Sequence, residues 1–418
     1  TFELDTILLE YLEQNLSKIK DGNRKHSVTY QVFDKDFIIE AVASLGDCAG
    51  FTHSILNPPY KKIASNSAHR KLLHELGIEA PNLYAAFLAL SIQLSKKGGE
   101  VVAIIPRSFC NGLYFRPFRK WLLENAALTD IHIFGSRSKA FKEDNVLQEN
   151  IILRLVKGGK QGEVKISEST DATFLDYKER EVDFFEVVQE NDSEMYIRIP
   201  SAESTESDLF VHTLNELGIE VSTGPVVDFR VKEFWISEKS EGSAPLLYPH
   251  HFSKGEIAWP REHKKPNAIR INDETGKLLM PRGWYLVVKR FSSKEEKRRI
   301  VACILNPEKL NREVYGFENH LNVFHIDKRG IDPDLVYGLS VFLNSDIVDR
   351  HFRTFSGHTQ VNVTDLRTMR FPERDTLYEF GNWARKQEEL TRQSIDAFIK
   401  EYAETRQGTA FGRITSNT

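Results

Sequence analysis

The sequence is poor in cysteine: Cys48, Cys110 and Cys303 are the only three, they stand far apart, and they follow no metal-ligand spacing. That excludes a disulfide scaffold, gives no reason to expect a structural zinc, and points to a reducing cytoplasm. There is also no uninterrupted apolar run long enough to span a bilayer, and no signal-peptide pattern at the start. With 40% hydrophobic residues and a mean hydropathy of -0.39, what remains is a soluble globular chain. Its 418 residues are enough for two ordinary hydrophobic cores. The first residue is Thr1 and not Met, so the natural start is expected upstream.

A strong net charge is absent as well. The balance of -4 does not by itself mark a nucleic-acid binder, but the charge is unevenly spread. Residues 161–210 hold 4 Lys/Arg against 14 Asp/Glu, whereas residues 251–300 hold 13 against 6. Basic surface confined to one segment suits a module that grips phosphates, although a solvated charged face gives the same composition.

Short apolar runs alternate with helix-like stretches through about residue 158, the pattern of a parallel sheet covered by helices. Ile7, Leu8, Tyr11, Leu12, Leu16 and Ile19 recur at helical spacing. Phe2–Leu4, Val28–Phe33, Phe51–Leu56 and Val101–Ile105 read as strands. A helix over Leu83–Leu94 is expected to close at Lys96-Lys97-Gly98-Gly99, and another covers Phe115–Glu124. Ile131–Phe134 and Asn150–Val156 form a final strand pair around a polar loop. Residues 161–204 read as an acidic, surface-exposed connector. From residue 205 to 418 the texture changes to short strands, aromatics and basic loops, closed by helices near Asp334–Arg350 and Thr376–Thr405.

The segment that carries chemistry is Ser54-Ile55-Leu56-Asn57-Pro58-Pro59-Tyr60, an apolar strand running into Asn-Pro-Pro-Tyr. Such a string arises in a chain of this length about once in a thousand from average residue usage. Two prolines fix φ twice and stiffen the loop. At the carboxyl end of a parallel strand, the loop lies where open α/β sheets bind ligands. The Asn57 amide oxygen and the Pro58 carbonyl can together accept both hydrogens of an exocyclic amine, while Tyr60 stacks on the ring that bears it. The plainer alternative is an Asn-Pro turn after a strand.

These residues resemble the S-adenosylmethionine-dependent amino-methyltransferases, and most of all the gamma-class DNA adenine-N6 methyltransferases of restriction–modification systems, of BsuBI/PstI type. The resemblance covers nearly the whole chain. It implies a Rossmann-like α/β methyltransferase core over residues 1–160, incomplete at the amino terminus, followed by an α+β target-recognition domain over residues 205–418. Phe2-Glu3-Leu4-Asp5 is similar to the motif whose carboxylate holds the cofactor ribose, which makes Glu3 that ligand by analogy. Asp36-Phe37 resembles the motif that binds the cofactor adenine, and Asn82–Phe87 the helix lining the pocket. Phe141 aligns with the aromatic that stacks on the flipped target base. The family's Gly-rich cofactor loop precedes the ribose carboxylate by about 20 residues and so is expected before Thr1, together with a central strand.

The same resemblance points to double-stranded DNA as substrate, with a cognate restriction endonuclease acting on the same site. In the carboxyl-terminal half, Arg353 and Ser356–Leu366 resemble an element of recognition domains. Arg353, Gln360 and Asn362 have the side chains that read base edges. Asn362 has a plainer role too, shaping a turn before a helix capped by Thr364 or Asp365. Lys289 and Arg290 are candidate phosphate contacts. Two other functions fit Asn-Pro-Pro-Tyr or its surroundings: methylation of a protein glutamine, whose amide is a similar substrate, and DNA binding by a chain that does not methylate.

Overall fold

The computed structural model describes residues 1–22, 27–46, 50–135, 149–190, 192–200, 209–292, 296–356 and 359–414. The chain divides into two compact units, Thr1–Pro200 and Ser201–Thr418.

The first unit is built on a six-stranded sheet. In chain order its strands are β1 (Phe51–Leu56), β2 (Ser95–Pro106), β3 (Ala126–Phe134), β4 (Asn150–Lys157), β5 (Val164–Ser169) and β6 (Lys178–Val182). Their spatial order is β1-β2-β4-β3-β5-β6. β1 is parallel to β2 and β3 to β5, while β4 runs antiparallel between β2 and β3. The carboxyl ends of β1, β2, β3 and β5 therefore emerge along one side. Among the described residues, the helices of eight or more residues that accompany the sheet are α1 (Thr6–Gly22), α2 (Phe37–Ser44), α3 (Ala68–Glu75), α4 (Leu83–Leu94) and α5 (Arg116–Asn125). α4 is apolar all round and buries nine residues between Tyr84 and Leu94, as expected of a helix inside a core.

Lys96–Gly99, expected to close α4, lie instead within β2. The β1–β2 register shifts between Phe51, opposite Ser95, and His53, opposite Glu100. The extra residues are absorbed at Gly98, whose φ of +79° is open to glycine, and at Gly99. A Cβ on Gly99 would lie 2.8 Å from the Phe51 carbonyl oxygen. The expected strand Val28–Phe33 is reduced to one parallel bridge between Phe33 and Phe2. The acidic stretch read as a connector belongs instead to the first unit. β5 and β6 extend the sheet, and Ile197 donates its N–H to the Cys110 carbonyl at 3.0 Å. Charged outward faces on an edge hairpin account for its composition.

Two apolar surfaces of this unit stay open among the described residues. β1 is bonded only to β2, with Ile55 86% exposed and Phe51 half-exposed. α1 has the expected amphipathic pattern yet buries none of its residues; Ile7, Leu8, Tyr11 and Ile19 are all exposed.

The second unit has a six-stranded sheet whose centre is Ala302–Leu305, Tyr285–Lys289 and Leu321–His325, all antiparallel. A five-stranded sheet accompanies it. Each of the two closing helices expected from the sequence is a pair. Pro333–Leu343 and Asp346–Phe355 are parted at Asn344-Ser345, where Ser345 caps the second; Arg374–Ala384 precedes Arg392–Ile414. Among the described residues no helix is long and apolar enough to cross a membrane.

Pro333–Leu343 and Arg374–Ala384 touch backbone to backbone through two glycines. A Cβ on Gly338 would fall 1.8 Å from the Leu377 carbonyl oxygen, and one on Gly381 1.9 Å from that of Asp334. Helix propensity favours Ala over Gly by about 1 kcal/mol, but overpacking a tight contact costs about 1–3 kcal/mol. Gly338→Ala and Gly381→Ala are therefore each expected to lower the urea midpoint of the second unit. A raised midpoint would mean that the two helices part without cost.

Candidate active site

Asn57-Pro58-Pro59-Tyr60 leaves the carboxyl end of edge strand β1 and turns toward the start of α4. Ile63 donates to the Pro81 carbonyl at 3.1 Å, and Leu83 donates to the Lys61 carbonyl at 2.9 Å. Asn82 caps α4 by accepting from the Ala85 N–H at 3.3 Å. Pro58 is buried, Asn57 is exposed, and among the described residues the Asn57 amide is not engaged. Tyr60 is half-buried, and its ring meets Tyr84 of α4 edge to face, 6.1 Å between centroids at 88°. A rigid loop thus offers an amide on one side and an aromatic ring, backed by the core, on the other.

Tyr84 is fully buried, and burial pushes its phenol above the ordinary range, so it stays protonated. Its hydroxyl lies 3.2 Å from Ser108 Oγ and its ring stacks on Phe115. Ser108 belongs to a turn at the carboxyl end of β2, beside the Asn57 loop. That turn is fastened twice. Arg107 and Glu149, both buried, form an ion pair at 3.1 Å, and the Arg107 N–H donates to the Glu149 carbonyl at 2.7 Å. Arg119 of α5, also buried, donates to the carbonyls of Phe109 and Gly112, both at 2.8 Å, and to that of Glu194 at 2.7 Å. Sequence reasoning passed over Arg107, Ser108, Arg119 and Glu149. The one available signal was the polar pair Arg107-Ser108, placed straight after the apolar strand that ends at Pro106.

The cofactor candidates gather on the other flank of α4. Phe2 stacks on Phe33 (4.8 Å, 15°) and meets Phe37 at 5.2 Å, and Phe37 packs on Phe87 of α4 at 4.6 Å. Phe87 and Tyr84 are one helical turn apart, so α4 joins this cluster to the Tyr60 loop. Glu3 Oε1 accepts from the N–H groups of Leu4 and Asp5 at 2.8 and 2.9 Å. Asp36 has a structural duty that motif comparison did not show. Oδ1 caps α2 by accepting from Ile38 and Ile39, and Oδ2 lies 3.0 Å from His69 Nε2. Phe141 lies outside the described residues.

In the second unit, two of the proposed DNA-contact segments come together. Phe291 and Gln360 form an antiparallel bridge, Val361 donates to the Arg290 carbonyl at 2.7 Å, and Ser292 donates to that of Thr359 at 3.0 Å. Lys289 pairs with Glu296. Arg353 is placed otherwise than expected. Nε bonds Asp349 at 2.7 Å and a terminal nitrogen donates to the Glu296 carbonyl at 2.9 Å, so its guanidinium is a brace. Asn362 has the plainer of its two roles, heading a capping box with Asp365 at the Val363–Thr368 helix.

Residues 2–141 match the family model described as Eco57I restriction-modification methylase. The type II methyltransferase M.BsuBI of Bacillus subtilis is 50% identical over 424 residues, 98% of this chain and 83% of that protein. The type II methyltransferase M.PstI of Providencia stuartii is 44% identical over 393 residues, 91% of this chain and 78% of its own. Among solved structures, the type IIL restriction-modification enzyme MmeI in complex with DNA is similar at a TM-score of 0.47. Its identity is 11%, over 94% of this chain and 63% of that one.

Breaking a buried ion pair by removing one partner strands the other charge, at about 3–5 kcal/mol, whereas replacing both by apolar groups is often nearly neutral. Arg107→Ala is expected to destabilise the first unit by that amount, and Arg107→Met combined with Glu149→Leu by much less. Urea titrations of the three proteins check this. Equal losses for the single and double variants would leave the pair without an electrostatic role.

Proposed function

This chain belongs to the type II methyltransferases of restriction–modification systems, and from that premise we propose that it methylates the N6 amino group of adenine in double-stranded DNA with S-adenosyl-L-methionine as donor. The observation that carries the reading is the placement of Asn57-Pro58-Pro59-Tyr60, with an unengaged amide and a core-backed ring at the carboxyl end of a sheet strand.

An adenine amine is conjugated with its ring and is a poor nucleophile, so the protein's contribution is orientation. The Asn57 side-chain oxygen and the Pro58 carbonyl are suited to accept the two amine hydrogens, which turns the nitrogen lone pair out of the ring plane. Tyr60 stacks on the base and holds its plane. Fixed acceptors of this kind act without reorganising during the reaction. An adenine inside a duplex does not reach such a loop, so the base must be flipped out, at a cost of a few kcal/mol.

When bound, S-adenosyl-L-methionine supplies an electrophilic methyl group. The residues on the α2 flank of α4 fit it chemically: the Glu3 carboxylate suits a ribose diol and the half-buried Phe37 ring an adenine face. Asp36 would serve an adenine amine only with the capacity that its capping of α2 leaves on Oδ2. The chemistry fits adenine because a fused aromatic ring is what Tyr60 can stack on; a glutamine side chain offers the amide but not the ring.

Incubating the protein, in a form that carries the family's Gly-rich cofactor loop, with unmethylated duplex and labelled donor, followed by nucleoside mass spectrometry, is expected to yield N6-methyladenine. Asn57→Ala should lower turnover by about 10²–10³-fold, and Tyr60→Ala should weaken base capture by about 1–3 kcal/mol. Full turnover in the Asn57 variant would overturn this mechanism. Label appearing in protein glutamine and not in DNA would transfer the assignment to the protein substrate. Duplex binding with no methyl transfer would leave a DNA-binding protein.

A further inference from the structure

We infer that His320, held by Glu318 and backed by Phe291, is a specificity-determining contact of the second unit that accepts a hydrogen bond from an exocyclic base amine in the major groove. This rests on the reading of the second unit as the part that recognises DNA, and it adds residues that sequence motifs did not suggest.

Glu318 is buried between the Val314–Phe317 and Leu321–His325 strands. Its Oε2 accepts the His320 main-chain N–H at 2.9 Å, and its Oε1 lies 2.5 Å from His320 Nδ1. With the carboxylate as acceptor, the ring proton is held on Nδ1, and in the neutral ring the lone pair is then on Nε2. The imidazole is therefore locked in both direction and tautomer. Its side chain is 44% exposed, and among the described residues Nε2 has no partner.

The surroundings point to a nucleic acid. Arg290 donates its main-chain N–H to the His320 carbonyl at 2.9 Å, and the Arg290 carbonyl accepts from Val361 on the other side. His320, Arg290-Phe291 and Gln360-Val361 thus occupy three adjoining segments, about 10 Å across at the usual strand spacing, which is close to three base-pair steps of 3.4 Å. The Arg290 guanidinium reaches the carbonyl of Asn319 and lies 3.5 Å from Gln360 Oε1. Phe291 is 42% exposed, and its ring meets the imidazole at 4.9 Å and 40°. An aromatic face, a fixed acceptor, an amide and a guanidinium on neighbouring segments form a set suited to base edges. The segment that contributes Arg290 and Phe291 is also the basic one.

The test uses the full chain and a pool of duplexes randomised over about ten base pairs, enriched by binding and then sequenced. The wild type is expected to enrich a defined sequence. His320→Ala should lose preference at one base-pair position by about tenfold, with its melting temperature and its affinity for non-specific duplex at low salt unchanged. Glu318→Gln lets an amide donate to Nδ1 and moves the ring proton to Nε2. Preference at that same position should then move toward a base presenting an acceptor, a change that a merely structural role would not produce. Retention of the full wild-type preference by His320→Ala overturns the inference, as does an equal loss on every sequence. If the wild type itself enriches nothing, the DNA-recognition reading fails, and that result is separate from a wild-type preference that ignores His320.

Discussion

Two main-chain hydrogen bonds, from Ile63 to Pro81 and from Leu83 to Lys61, fasten the segment after β1 to the start of α4, and the geometry of the candidate site depends on them. Proline fixes its own φ but does not fix where a loop points. That direction comes from α4, which is fixed in the core by nine buried residues. Tyr60 then has one place to lie, against the edge of Tyr84. The opposite end of the same contact set reaches Phe87, Phe37 and Phe2. One apolar helix is the common reference for both groups of candidate residues.

Around this helix the first unit spends buried charge on the turn after β2. The Arg119 guanidinium is met by carbonyl oxygens of three residues, with the Tyr196 ring 5.2 Å from its central carbon. Desolvating a guanidinium is expensive, and a planar fork is the side chain that can satisfy several fixed carbonyls together. The gain is definition. The turn carrying Ser108, the start of β4 and the acidic segment near Glu194 are tied to one another where apolar packing alone would let them slide.

Much of this was legible in the sequence. β1, α4 and α5 lie close to where apolar periodicity placed them, and Asn-Pro-Pro-Tyr sits at the end of its strand. What misled was local sign-reading without knowledge of pairing. Gly98-Gly99 has the composition of a helix stop, yet it serves a strand bulge against Phe51. The acidic stretch has the composition of a connector, yet its inward residues Val164, Ile166 and Val182 complete a sheet. Long-range partners were out of reach: nothing in a linear reading joins Arg107 to Glu149 or Arg353 to Glu296. Asp36 shows the remaining ambiguity, because a carboxylate that caps a helix and one that binds a ligand have the same signature.

Among the described residues the side of β1 away from β2 carries unpaired N–H and C=O groups, with Ile55 exposed beside them. Such an edge is a template for one more extended segment. A strand seated there would join the sheet next to the strand that ends in Asn57, so its register would steer the loop from one flank while α4 steers it from the other.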